Sequence, residues 1–241
     1  MPDEVVIESR FRGPPESANG GYACGVLAAF VEPAPAVEVT LRAPPPLQRP
    51  LAVRRSGLEV ELDDGDTLIA EARSCPEPEA TVPDPVSLEA AEEAMRASPL
   101  YRHHPFETCF VCGPKATDGL QIVCGPVPGR NRELVAAPFR TSEEMAGGDG
   151  VVRPELVWSA LDCPSGLIGL VVGGLGVSVL GQLTAVSRRP LEAGRDYVAI
   201  GWPIEIDGRK IHSAAAILDQ DGETLALSRA VWIVLAEQPS G

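Results

Sequence analysis

Lysine is nearly absent from this chain of 241 residues: Lys115 and Lys210 are the only two, and arginine supplies the remaining positive charge. Lysine and arginine together number 20 against 34 acids, a formal net charge of −14. Neutralising phosphates requires a basic face, so this balance excludes nucleic acid as a partner and disfavours an anionic membrane surface. Histidine is scarce as well, with only His103, His104 and His212. None is placed to activate a nucleophile such as Cys163. The opening Met1-Pro2-Asp3-Glu4 lacks a basic, apolar leader, which predicts a cytoplasmic location. Six cysteines in such a chain read as reduced thiols. Charge is missing altogether from Cys163 to Ser187, 25 residues with six glycines and Pro164. That length alone would suit a membrane span. Gly173-Gly174-Leu175-Gly176 reads instead as a break between a buried helix and a buried strand, so no span is expected.

Apolar residues make up 44% of the chain, ample for a core in one large domain or two of about 120 residues. Duplication favours two. Asp64-Gly65-Asp66-Thr67-Leu68 recurs as Asp221-Gly222-Glu223-Thr224-Leu225, each an Asp-Gly turn between apolar runs and so a hairpin signal. Upstream, Thr40 to Leu47 echoes Thr184 to Leu191, and a helix start at Gly20 corresponds to one at Pro154. The offset grows from 134 to 144 to 157, so the second copy carries longer loops and strands.

Within the first copy the pattern predicts a strand over Val5 to Phe11, a helix over Tyr22 to Glu32 ended by Pro33, and strands over Val37 to Arg42, Leu58 to Leu62 and Thr67 to Arg73. The second copy predicts strands over Gly119 to Cys124 and Glu133 to Ala137, then a helix from Pro154 to about Val171 kinked at Pro164. Strands near Val177 to Ser187, Tyr197 to Trp202, Lys210 to Leu218 and Leu225 to Leu235 follow. One apolar helix with antiparallel strands is α+β, and the sheet buries most by wrapping the helix. The expected units are 1–74 and 105–241. Between them, 75–104 reads as a Pro/Glu-rich linker whose short helix, Ser87 to Ala97, is capped by Ser87 and solvated.

The two copies divide one set of groups. Asn19-Gly20-Gly21 opens a helix with an N-cap and two glycine amides, but Ala28 and Ala29 stand where an acid could act. The later helix starts with Arg153-Pro154-Glu155, whose proline has no N–H, and carries Asp162 at the corresponding depth. Asp162 lies among Leu161, Cys163, Leu167 and Ile168, with no further acid before Glu192. A lone carboxylate in such a run is costly to bury unless paired or functional.

Asn19-Gly20-Gly21-Tyr22 with its Ala/Leu-rich helix, and Thr40 to Leu47 after it, resemble the acyl-CoA thioesterase II type. Cys109-Phe110-Val111-Cys112-Gly113-Pro114 with Asp118-Gly119-Leu120, and Leu161-Asp162, resemble phenylacetate-pathway-type thioesterases. Together the chain resembles a tandem (double) hot-dog acyl-CoA thioesterase, each unit an antiparallel sheet wrapped around one long helix. Many relatives begin the helix with His-Gly-Gly; here it is Asn-Gly-Gly in one copy and absent from the other.

The resemblance implies antiparallel helices that bring Asp162 opposite Gly20 and Gly21. Asp162 would activate water and the helix-start amides would hold the thioester oxygen. Thr184, with Gln182 as its competitor, would orient water or carboxylate, or else be an ordinary strand residue. An acyl-CoA is then the small-molecule partner and substrate, with no further cofactor. Homo-oligomers built through exposed sheet edges stay open. Arg188-Arg189, Arg54-Arg55 and Arg209-Lys210 are equal candidates for coenzyme A phosphates. Cys109 and Cys112 with His103 and His104 suggest zinc, but the other cysteines are isolated in sequence and a structural site takes four ligands; the expectation is no metal. A non-catalytic acyl-CoA or fatty-acid binder is the alternative function. An acyl-CoA hydratase or dehydratase is disfavoured because no histidine stands at a helix start.

Overall fold

The two Asp-Gly turns do close hairpins, and around them each half of the chain repeats one pattern of helix and strands. The computed structural model describes residues 4–31, 34–130, 133–171 and 174–236. The first half comprises β1 (Glu4–Val6), α1 (Gly20–Ala28), β2 (Ala36–Leu41), β3 (Pro50–Ser56), β4 (Glu59–Asp64) and β5 (Thr67–Cys75). A short α2 (Leu88–Arg96) follows. The second half comprises β6 (Gly125–Pro126), β7 (Val135–Arg140), α3 (Pro154–Val171), β8 (Ser178–Ser187), β9 (Asp196–Asp207), β10 (Lys210–Leu218) and β11 (Thr224–Val234).

The strands form one antiparallel sheet in the order β1-β3-β4-β5-β2-β8-β11-β10-β9-β7-β6. Read outward from the β2–β8 seam, both halves give the same succession, and the short β6 is one further strand at the second half's edge. At the seam Val39 lies opposite Leu183, its own counterpart at the sequence offset of 144, so a pseudo-twofold axis passes between them. The duplication thus sets which strands meet, and pairing the two seam strands merges two sheets into one.

Alternation decides what each strand buries. On β9, Ala199 joins the core around the helices, while Val198, Ile200 and Trp202 join a second cluster on the opposite face. The helices α1 and α3 are apolar on nearly all sides and occupy the main core. Leu27, Leu156, Leu161 and Ile168 are fully buried there, each contributing about 1.5–3 kcal/mol. Trp232 closes over Gly166, where a Cβ would stand 2.5 Å from the indole.

Several boundaries depart from the sequence expectation. The first strand stops at Val6, and Ser9–Phe11 forms a 3₁₀ turn that stacks Phe11 on Tyr22 at 3.9 Å between ring centroids. Helix α1 is shorter, ending in i→i+3 bonds from Phe30 and Val31; Glu32 and Pro33 lie outside the described residues. Strand β3 was not expected, because Arg54 and Arg55 mask its single deeply buried side chain, Leu51. Gly119 to Cys124 is not a strand: Leu120 and Ile122 donate to Phe110 and Val111 carbonyls of a neighbouring loop. Helix α3 runs through Pro164.

The connecting helix is docked rather than solvated. Ser87 Oγ accepts from the Ala90 amide as expected of a cap, but Ala91 and Ala94 are wholly buried in the second cluster. Gly125 permits this, since a Cβ there would overlap the Ala94 carbonyl. No helix among the described residues is long and apolar enough to cross a membrane.

Candidate active site

Two glycines one turn apart decide how closely the helices approach. A Cβ at Gly21 would overlap that of Asp162 and stand 2.7 Å from the Trp158 carbonyl oxygen; one at Gly25 would stand 2.6 Å from Glu155 Cα. Moving along α1 from 21 to 25 therefore moves back along α3 from 162 to 155, so the helices run antiparallel. The start of α1 meets the middle of α3.

Asp162 is buried there, 1% exposed. Its Oδ2 accepts from Asn19 Nδ2 at 2.6 Å and from the Gly21 amide at 3.0 Å. Asn19 also caps α1, its Oδ1 accepting from the Tyr22 amide at 2.9 Å. One side chain thus satisfies an orphan helix-start N–H and holds the carboxylate. Asp162 Oδ1 is buried without a hydrogen-bond partner. Burial raises the Asp162 pKa to about 7 against the two hydrogen bonds, which lower it; the neighbouring Cys109 raises it further.

A cavity of about 750 Å³ opens beside this carboxylate. Asn19, Gly20, Asp162 and Cys163 stand at its polar end, and Leu41, Leu167, Leu170, Leu180, Trp232 and Ile233 are among the apolar side chains of its wall. Such a slot suits an aliphatic chain with one reactive polar group.

Sequence reasoning placed Asn19, Gly20, Gly21 and Asp162 together, and the structure does so. It differs on how they bond: the Gly21 amide is engaged by the carboxylate rather than free to meet a substrate oxygen, which leaves Gly20 at the cavity wall. Thr184 and Gln182 lie elsewhere. Leu183 and Ala185 of β8 point into the core, so alternation turns 182 and 184 to the other face. There Gln182 Nε2 donates to Thr40 Oγ1 at 2.9 Å and Thr184 Oγ1 to Glu38 at 3.5 Å, and neither borders the cavity.

The basic clusters singled out in the sequence also lie off the cavity wall. Arg188 pairs with Glu77, Arg189 with Glu223 and Arg54 with Asp63. Arg42, paired with Glu71 and half exposed, is the arginine that borders the cavity. It was missed because it stands alone in sequence. His104, weighed in the sequence only as a zinc ligand, also lines the wall: its Nδ1 accepts from the Phe106 amide at 2.9 Å and its Nε2 has no partner. Burial lowers its pKa.

No protein-family model matches the chain, and no curated protein matches it. Solved structures do. A protein of Novosphingobium aromaticivorans described provisionally as a thioesterase is 13% identical, with a TM-score of 0.64 over 97% of this chain and 95% of that one. A provisional thioesterase II of Thermobifida fusca is 15% identical, with a TM-score of 0.63 over 98% and 93%. The tesB protein of Mycobacterium avium subs paratuberculosis is 13% identical, with a TM-score of 0.57 over 92% and 89%. The fold shared along nearly the whole chain is the tandem hot-dog.

Proposed function

We propose that the chain is a thioester hydrolase acting on acyl-CoA, with one working site between α1 and α3. One observation carries this reading: Asp162 is clamped through Oδ2 by Asn19 and Gly21 while Oδ1 remains unpartnered at the polar end of an apolar cavity. A carboxylate held on one oxygen and free on the other is oriented for a single task. Burial brings its basicity near neutrality, the useful range for a general base.

In the proposed reaction, water bound at Oδ1 gives a proton to Asp162 as its oxygen bonds to the thioester carbon. The carbonyl oxygen gains charge and takes a hydrogen bond from the Gly20 amide, at the first helical position where no intrahelical acceptor exists. The positive end of α1 favours that charge. Collapse breaks the C–S bond, and the Asp162 proton passes to the leaving sulfur. The acyl chain lies along Leu41, Leu167, Leu170 and Trp232, and Arg42 meets the phosphates outside. Names given to the three similar structures, two as provisional thioesterases and one as tesB, support this reading.

The test is thiol release from acyl-CoAs of graded chain length, measured against a protein-only blank. Turnover that improves as the chain lengthens to fill the cavity is expected. Saturable acyl-CoA binding with no thiol released from any member would replace hydrolysis with a binding function.

A further inference from the structure

In sequence Cys109 and Cys112 stand as a pair, too few for a metal; the fold brings a third cysteine beside them. Cys163, one residue after the carboxylate on α3, packs against the Cys109–Cys112 loop, and the three Sγ atoms lie within 4.8 Å of one another. All three residues are buried. Cys109 and Cys163 sulfurs are 3.8 Å apart. A tetrahedral zinc ion with Zn–S bonds of about 2.3 Å requires thiolates about 3.8 Å apart.

The loop is built around sulfur. Gly113 follows the second cysteine because a Cβ there would stand 2.5 Å from the Cys109 nitrogen and from the Glu107 carbonyl oxygen. Its amide donates to the Cys109 carbonyl at 2.8 Å, tightening the turn. From the other side Asn19 Nδ2 lies 4.0 Å from Cys109 Sγ and 3.8 Å from Cys163 Sγ. A donor beside ligating sulfurs orients them and lowers their charge.

We propose that Cys109, Cys112 and Cys163 form a binding site for a thiophilic divalent cation of the zinc class, with the fourth coordination position open to the cavity. All three residues border that cavity, so the ion has a path in and a water can complete its tetrahedron. Each thiol that coordinates gives its proton to solvent. The site is separate from the hydrolase reading, since metal uptake is measured without turnover.

The experiment uses the full-length chain, reduced and free of oxygen, titrated with Co²⁺ as a spectroscopic substitute for Zn²⁺. We expect one ion per chain, an intense thiolate-to-cobalt charge-transfer band of the strength given by three thiolates, and tetrahedral visible bands that Zn²⁺ abolishes. Cys112→Ser should weaken binding by more than the about 10–100-fold that loss of a supporting partner costs, whereas Cys75→Ser, distant from the cluster, should leave it unchanged. Should Cys112→Ser fail to fold, the charge-transfer intensity of the unmodified chain decides the thiolate count. Absence of the band with all six thiols titrating as free would overturn the proposal, as would equal weakening by Cys75→Ser.

Discussion

The starts of α1 and α3 occupy equivalent places in the duplicated unit and do opposite things. At the first, Asn19 caps the helix, Gly20 and Gly21 let the partner helix approach, and the partner presents Asp162. At the second, the equivalents of Asn19, Gly20 and Gly21 are Arg153, Pro154 and Glu155, and the equivalent of Asp162 is Ala28. Arg153 and Glu155 form an ion pair at 3.5 Å across this start. The scaffold therefore supports a polar junction at either pole, but a buried carboxylate opposite a donor-bearing helix start is present at the first and not at the second. Under the proposed function only the first pole would turn over substrate.

The sharpest way to break this comparison is Asp162→Asn. Its amide oxygen can take the place of Oδ2 between Asn19 and Gly21, so geometry survives while basicity is lost. Thiol release should fall about 10²–10⁴-fold. Because a buried carboxylate is costly to desolvate, chemical denaturation should show stability unchanged or raised by about 1–2 kcal/mol. Retained activity would mean that the other pole, or another group, performs the reaction.

Asn19→Ala comes next. It removes one charge-assisted hydrogen bond to Asp162, worth about 1.5–3 kcal/mol, and should slow turnover about 10–100-fold. It also removes the cap, costing about 1 kcal/mol of stability. Asn19→Ser separates the two roles: the hydroxyl restores the cap and the stability, yet is too short to reach Asp162, so the rate stays low. Equal recovery of both would reduce Asn19 to a cap.

The glycine pair gives a smaller contrast. Gly21→Ala and Gly25→Ala each force the helices apart, and each should cost about 1–3 kcal/mol by overpacking. Gly21 abuts Asp162, whereas Gly25 abuts Glu155 and Trp158. Turnover measured beside thermal unfolding should therefore fall at least about tenfold in Gly21→Ala, beyond what unfolding explains, and stay within that margin in Gly25→Ala. Equal losses would show that helix spacing, not the local clamp, governs the rate.

How much of this was legible in sequence follows from the range over which each feature is determined. The Asp-Gly turns, the span of α3 and strand β10 are local, and pattern alone located them. The Asp162 pairing was legible because two weak halves complemented each other through the repeat. Features that depend on three-dimensional neighbours were not. The third thiol sits more than fifty residues from Cys109-x-x-Cys112, Arg42 reaches the cavity because the end of β2 meets its wall at Leu41, and α2 docks only because Gly125 lacks a side chain. Of the two readings open for Thr184, the structure gives the ordinary strand residue, because one position along β8 reverses the face. The engagement of the Gly21 amide was hidden too, since a glycine's spacing says nothing about what its N–H will meet.

The smallest expected effect sharpens the comparison most. Placing an acid at the equivalent position, Ala28→Asp, in the Asp162→Asn background should restore no thiol release. Ala28 is only half-buried, so the new carboxylate stays solvated and perturbs the fold little. It would face a helix start whose first position is a proline without an N–H and whose flanks carry an arginine and a glutamate already paired with each other. An acid there has neither a clamp to orient it nor an amide to share with a substrate oxygen. Measurable recovery would show that a carboxylate at the right depth suffices, and that the asparagine and glycines of the first pole only shape the helix junction; continued silence would assign the lost activity of the second pole to its helix start as much as to its missing acid.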